Sequence, residues 1–132
     1  MPKSQQDGRV RYLVAIYELS RQNGRVKSVE IARSLDISRA SVHNMLQTLA
    51  AEGLIDKRYY GDIVLTEAGR LEAAQRYEEY QCVCAMFSQC LQLAPLDARK
   101  SALIFLATQP GDMVEQVVHT FACQASRARA NS

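Results

Sequence analysis

The chain has 132 residues, of which 48% are hydrophobic and 23% charged. That is too apolar for a disordered protein and suits one domain, or two small ones sharing a core. The N-terminal MPKSQQDGR carries no apolar signal segment. The longest strongly apolar run, Ala102 to Ala107, is far short of the roughly 20 residues that span a bilayer. A cytoplasmic protein with no membrane partner is expected, and there its four cysteines stay reduced.

The net charge of +2 is unevenly spread. Residues 1–66 hold ten Lys/Arg against seven Asp/Glu, and residues 67–132 hold six against seven. A basic first half with a near-neutral second half fits a nucleic-acid reader joined to an association module. With two histidines, no Gly-rich phosphate loop and no recognisable nucleophile–base pair, an enzyme with a catalytic substrate is not expected.

In chain order, VRYLVAIYELSRQ places Val10, Leu13, Val14 and Tyr17 at helical spacing, and Asn23-Gly24 gives its stop signal. Ser28 is expected to cap a short second helix, VEIARSL. Ser38 is expected to cap a third, RASVHNMLQTLAAE, which Gly53 ends. Two β-prone runs, LIDKRYY and IVLT, flank Gly61-Asp62 and predict a hairpin. From Glu67, behind Thr66 as cap, a long helical pattern runs to the stop at Ala94-Pro95. Pro95 opens a further helix, LDARKSALIFLAT, and DMVEQVVHTFACQAS forms the last.

Three helices followed by a short hairpin form a winged helix-turn-helix. At about 100° per residue, Val42, Met45, Leu46 and Leu49 share one face of the third helix, with Ile31, Ala32 and Leu35 as natural partners. Ala40, His43, Asn44 and Gln47 lie on the opposite face, which carries no acid before Glu52. Such a face suits a major groove, where small side chains permit close approach and polar ones meet base edges. Ser38, Arg39 and Ser41 stand at the positive N-terminal end, where phosphates are favoured. Lys57, Arg58 and Tyr59, with Tyr60 beyond, make the hairpin basic and amphipathic, fit for a backbone or minor-groove contact. The expected partner is a two-fold double-stranded DNA operator. The competing reading is a winged-helix module that binds protein and not DNA.

The runs YLVAIYEL, VEIARSLDISRASVHNMLQTLAAEGLI and YYGDIVLTEAG resemble the diphtheria-toxin-repressor family, and its manganese-transport-regulator branch is nearer in size. The SxxSV motif of the third helix and the final LTxxG of the hairpin carry that resemblance together. It extends from about Val10 to Leu91; beyond that only helix lengths and order agree. It implies a mostly α fold: a winged helix-turn-helix with a small two-stranded wing over residues 9–66, then a long linker helix and a C-terminal helical dimerisation region over residues 67–128. It further implies a homodimeric repressor of manganese or iron uptake genes, activated by metal held between the first helix and the linker helix.

The implied metal positions have lost their ligands. The first-helix carboxylates fall at Arg11 and Val14, and the linker histidine at Tyr80. The ligands of the next helix fall around Ala102, in Arg99-Lys100-Ser101-Ala102-Leu103 or just beyond. None of these suits a hard cation such as Mn²⁺, so no metal cofactor, Mn or Fe, is expected. Arg11 is placed to supply the lost positive charge, facing Glu78 and Glu79.

Cysteines offer a softer alternative. Cys82 and Cys84 point about 200° apart on a helix and cannot close on one ion. Cys82, Met86 and Cys90 form one stripe, as core filling would. Cys84 lies one turn beyond Tyr80, which leaves open a thiol- or soft-metal-responsive regulator. Glu115, His119 and Cys123 stack at four-residue spacing, either as part of a zinc or copper site or as the solvated side of the last helix.

Overall fold

A computed structural model describes the backbone of residues 3–57 and 61–130, and the side chains of residues 8–56 and 61–122. The element order is α1 (Lys3–Asn23), α2 (Ser28–Leu35), α3 (Arg39–Ala51), β1 (Ile55–Lys57), β2 (Ile63–Leu65), α4 (Glu67–Cys90), α5 (Pro95–Thr108) and α6 (Gly111–Ala130). The chain divides into two compact units, residues 1–77 and 78–132. The first unit therefore runs past Thr66, where the sequence changes from hairpin to helix, and takes in the opening turns of α4.

The core of the first unit is aliphatic. Leu13, Val14 and Ile16 of α1, Ile31 of α2 and Val42, Leu46 and Leu49 of α3 are all buried, together with Val26, Ile55 and Ile63. Each fully buried side chain of this kind contributes about 1.5–3 kcal/mol. Helix α1 begins well before Val10 because Lys3–Gly8 has no apolar period to betray it. Gly8 already sits against α3, since a Cβ there would lie 3.0 Å from Met45 Cε.

The connections are made by local hydrogen bonding. Ser28 is not the cap of α2 but its first residue; the N-cap is Lys27. The capping interaction comes from inside the helix, where the Lys27 N–H donates to Glu30 Oε1 at 3.1 Å. A capping hydroxyl is unnecessary when the carboxylate three residues on reaches back. Asp36 turns the chain between α2 and α3 in the left-handed region at φ 55°. Ser38 caps α3 as expected, accepting from Ser41 N–H at 3.1 Å. At the other end Gly53, at φ 75°, closes α3 with the paired Schellman bonds Gly53 N–H to Ala50 O and Leu54 N–H to Leu49 O, both 3.0 Å.

The wing is an antiparallel pair with Ile55 opposite Leu65 and Lys57 opposite Ile63. Val26 adds a bridge to Ile63 on the far side. Residues 58–60, the distal part of the expected first strand, lie outside the described residues.

Thr66 joins wing to α4. Its hydroxyl donates to the Gly53 carbonyl at 2.6 Å and accepts from Gly69 N–H at 3.0 Å, while its own N–H reaches the Leu54 carbonyl at 3.0 Å. Gly69 packs so tightly that a Cβ there would collide with the Leu54 carbonyl. The LTxxG run is thus a cap and a close approach in one.

In the second unit α4 stops at Cys90, earlier than Ala94-Pro95 suggests. Gln92 reverses the chain at φ 54°, a left-handed position filled without glycine. Val83, Ala98, Ala102, Leu106 and Val114 are buried, and Phe87 meets Phe105 edge-on at 6.2 Å. Pro95 occupies the first turn of α5, as expected.

Gly69→Ala tests the junction. Alanine normally gains about 1 kcal/mol over glycine inside a helix. Here the added methyl meets a backbone carbonyl that is itself hydrogen bonded. The substitution should cost about 2 kcal/mol or more in urea unfolding.

Candidate nucleic-acid interface

Helix α3 presents two faces. Val42, Leu46 and Leu49 are buried and Met45 is half-buried, whereas Ala40, Ser41, His43, Asn44 and Gln47 are exposed. The cap fixes Ser38 and Ser41 as a pair, their hydroxyls 3.0 Å apart. Arg39 stands beside them, exposed. His43 Nε2 and Gln47 Nε2 lie 3.2 Å apart, so these two outer-face side chains are already in contact. Thr48 turns back onto the Asn44 backbone carbonyl at 3.2 Å. The face is polar, free of carboxylates along its length, and anchored on an aliphatic core. Of the wing residues expected to take part, the Lys57 side chain and the whole of Arg58 and Tyr59 lie outside the described residues.

Sequence reasoning missed Arg9. Its Nη2 lies 2.9 and 2.8 Å from the two carboxylate oxygens of Glu72 on α4 and 3.2 Å from Glu52 Oε2 at the C-terminal end of α3. One guanidinium thereby joins three helices of the first unit. Nothing in the local pattern announces it, because the partners are 63 and 43 residues away in sequence. Tyr17 and Tyr77 pack at 5.0 Å between ring centres with their planes tilted by 46°, and the Arg21 guanidinium lies 5.8 and 5.6 Å from the two rings. This second tie between α1 and α4 is also long-range.

Three of the four positions that the resemblance implies for a metal are buried. Val14 is 2% exposed, Tyr80 3% and Ala102 0%. Val14 and Ala102 have no lone pair to donate, and Arg11 is a cation whose Nε is buried without a hydrogen-bond partner. Its charge acts on its neighbour: burial raises the Tyr12 phenol above its ordinary value, and Arg11 opposes that rise. These four residues do not fit Mn²⁺ or Fe²⁺, which need oxygen and imidazole donors. Among the described residues no three His, Cys, Asp or Glu side chains come together as a metal would require.

The thiols are spread over different surroundings. Cys84 is half-buried and donates to the Ala98 carbonyl at 3.8 Å. Cys82 donates to the Val118 carbonyl at 3.8 Å, and burial raises its thiol above the usual range. Cys90 is exposed and Cys82 only half-buried, so the stripe of Cys82, Met86 and Cys90 expected as core is half-buried at its start and surface at its end. His119 is exposed, and the Cys123 side chain lies outside the described residues.

The comparisons with known proteins agree with this architecture. Residues 10–63 match the family model of the iron dependent repressor, N-terminal DNA binding domain. Over 91 residues, 69% of the chain, it is 33% identical to the transcriptional regulator MntR of Escherichia coli, and the match spans 58% of that protein's own length. It is 30% identical over 92 residues to the HTH-type transcriptional regulator MJ0568 of Methanocaldococcus jannaschii, 74% of which is matched. In three dimensions it superposes on the T. acidophilum IdeR crystal structure with a TM-score of 0.71 at 22% identity, covering 86% of this chain and 53% of that one. The chain belongs to the family of metal-dependent, DNA-binding transcriptional regulators that includes MntR and the diphtheria toxin repressor. Its relatives are regulators, not enzymes. Among the described residues no helix is long and apolar enough to cross a membrane.

The thiol environments predict an order of alkylation. In the monomeric chain at neutral pH, where only the thiolate reacts, iodoacetamide should modify the exposed Cys90 first. Cys82, with its raised pKa, should lag by about tenfold or more, as peptide mass spectrometry over a time course would show.

Proposed function

We propose that this chain is a homodimeric, cytoplasmic transcription repressor that reads a two-fold DNA operator through α3 and holds it without an activating metal. The observation that carries this reading is the outer face of α3: five exposed small or polar residues, no acid, on a helix capped and packed from below. Ser38, Arg39 and Ser41 then meet phosphates at the helix N-terminus. His43, Asn44 and Gln47 reach base edges, and Lys57, Arg58 and Tyr59 of the wing lie along the backbone. Half-sites are about one helical turn apart, roughly 10 bp, or a small multiple of it.

Two further observations support the dimer and the missing metal. The second unit exposes Leu91 at 60% and Ile104 at 58%. A cleft of about 440 Å³ lined by Met86, Leu91, Val117 and Phe121 opens on it. Apolar surface of that kind commonly marks an association face, and a second copy covers it here. Metal independence rests on Val14, Tyr80 and Ala102 being packed as core, where relatives in this family use metal.

Gel shifts on the gene's own upstream region provide the test. Binding should persist unchanged in excess EDTA. Gln47→Ala should cost about 1–3 kcal/mol at its base position and leave the slope of log K against log salt intact. Arg39→Ala should weaken all sequences alike and flatten that slope by about 0.9. Leu91→Glu should yield a monomer by light scattering. No binding at about 50 mM salt would favour the protein-binding module instead.

A further inference from the structure

The Arg9 cluster has the geometry of a positioning device. Helix α4 is uninterrupted from Glu67 to Cys90, so its opening turns belong to the first compact unit and its remainder to the second. Whatever fixes those opening turns against α1 and α3 fixes how α4 is seated in the first unit. Thr66 and Gly69 hold only the first turn. Glu72, on the next turn, is held by Arg9 through both carboxylate oxygens, and the same Nη2 holds Glu52, the residue that ends α3. The recognition helix and the outgoing helix are thus tied to one guanidinium.

Resting on the reading above, we propose that Arg9 is a positioning residue for operator binding: by bridging Glu52 and Glu72 it sets the angle between α3 and α4, and with it the half-site spacing that the dimer accepts. Arg9, Glu52 and Glu72 are about a third exposed, so solvent screens the cluster and it contributes little to global stability. Its effect is on orientation. Two carboxylates held on one guanidinium nitrogen restrict rotation of α4 about its first turn, which a single capping hydroxyl does not. The cluster does not touch the outer face of α3, so contacts within one half-site do not depend on it.

Three variants separate these roles: Arg9→Ala, Glu72→Gln, and the charge exchange Arg9→Glu with Glu72→Arg. Each is measured in excess EDTA on the full operator, on operators with one base pair added or removed between half-sites, and on an isolated half-site. Arg9→Ala and Glu72→Gln should lose about fivefold or more in affinity for the full operator. Their preference for the native spacing over the altered ones should fall by a similar factor. Half-site affinity should stay within about twofold, and the melting temperature within a few degrees. The charge exchange should recover the spacing preference. Variants that keep the full spacing preference overturn the proposal, as does a fall in half-site affinity equal to the fall on the full operator. A wild-type chain that binds no DNA removes the underlying reading as well, and is recognised before any variant is made.

Discussion

The closest constraint in the reading head is the approach of Gly69 to the Leu54 carbonyl. The chain leaves α3 through Gly53, runs out and back along the wing, and must begin α4 beside the turn it left. That closure works only if a helix backbone can lie against the Leu54 peptide, which requires a residue without a Cβ. Thr66 completes it by spending both hydrogen-bonding capacities of one hydroxyl, one on the turn and one on the new helix. The recognition helix, the wing and α4 therefore share a single junction. The aliphatic core holds α1, α2 and α3 together, but it is this junction that gives α4 a defined point of departure.

Much of the fold was legible because its signals are local. Ser38, Gly53, Thr66 and Pro95 announce element ends through hydrogen-bond chemistry that spans three or four residues. The two faces of α3 follow from helical periodicity. Less was legible where the signal is distant or displaced. Ser28 looks like a cap, yet Glu30 does that work from inside the helix. Gln92 ends α4 in a conformation usually given to glycine. Arg9 was invisible because its partners sit on other helices, while Arg11, at a position implied by resemblance, drew attention to the same end of α1. The described carboxylate contacts of that end belong to Arg9.

On the proposed metal-independent reading, core residues in place of a metal site change the energetics as well as the ligand. A bound cation contributes free energy that depends on its concentration, so a regulator built on one answers to supply. Valine and alanine at such positions contribute packing that is always present, and a guanidinium is charged at every physiological pH.

The contact between His43 and Gln47 has a consequence for how α3 encodes sequence. The two side chains meet through His43 Nε2 and Gln47 Nε2, 3.2 Å apart, so the hydrogen-bonding groups each presents outward depend on the other. Rotating either group rearranges the other. On the proposed reading of DNA, two positions of the helix therefore act as one letter of the code, and substitutions at them will not add.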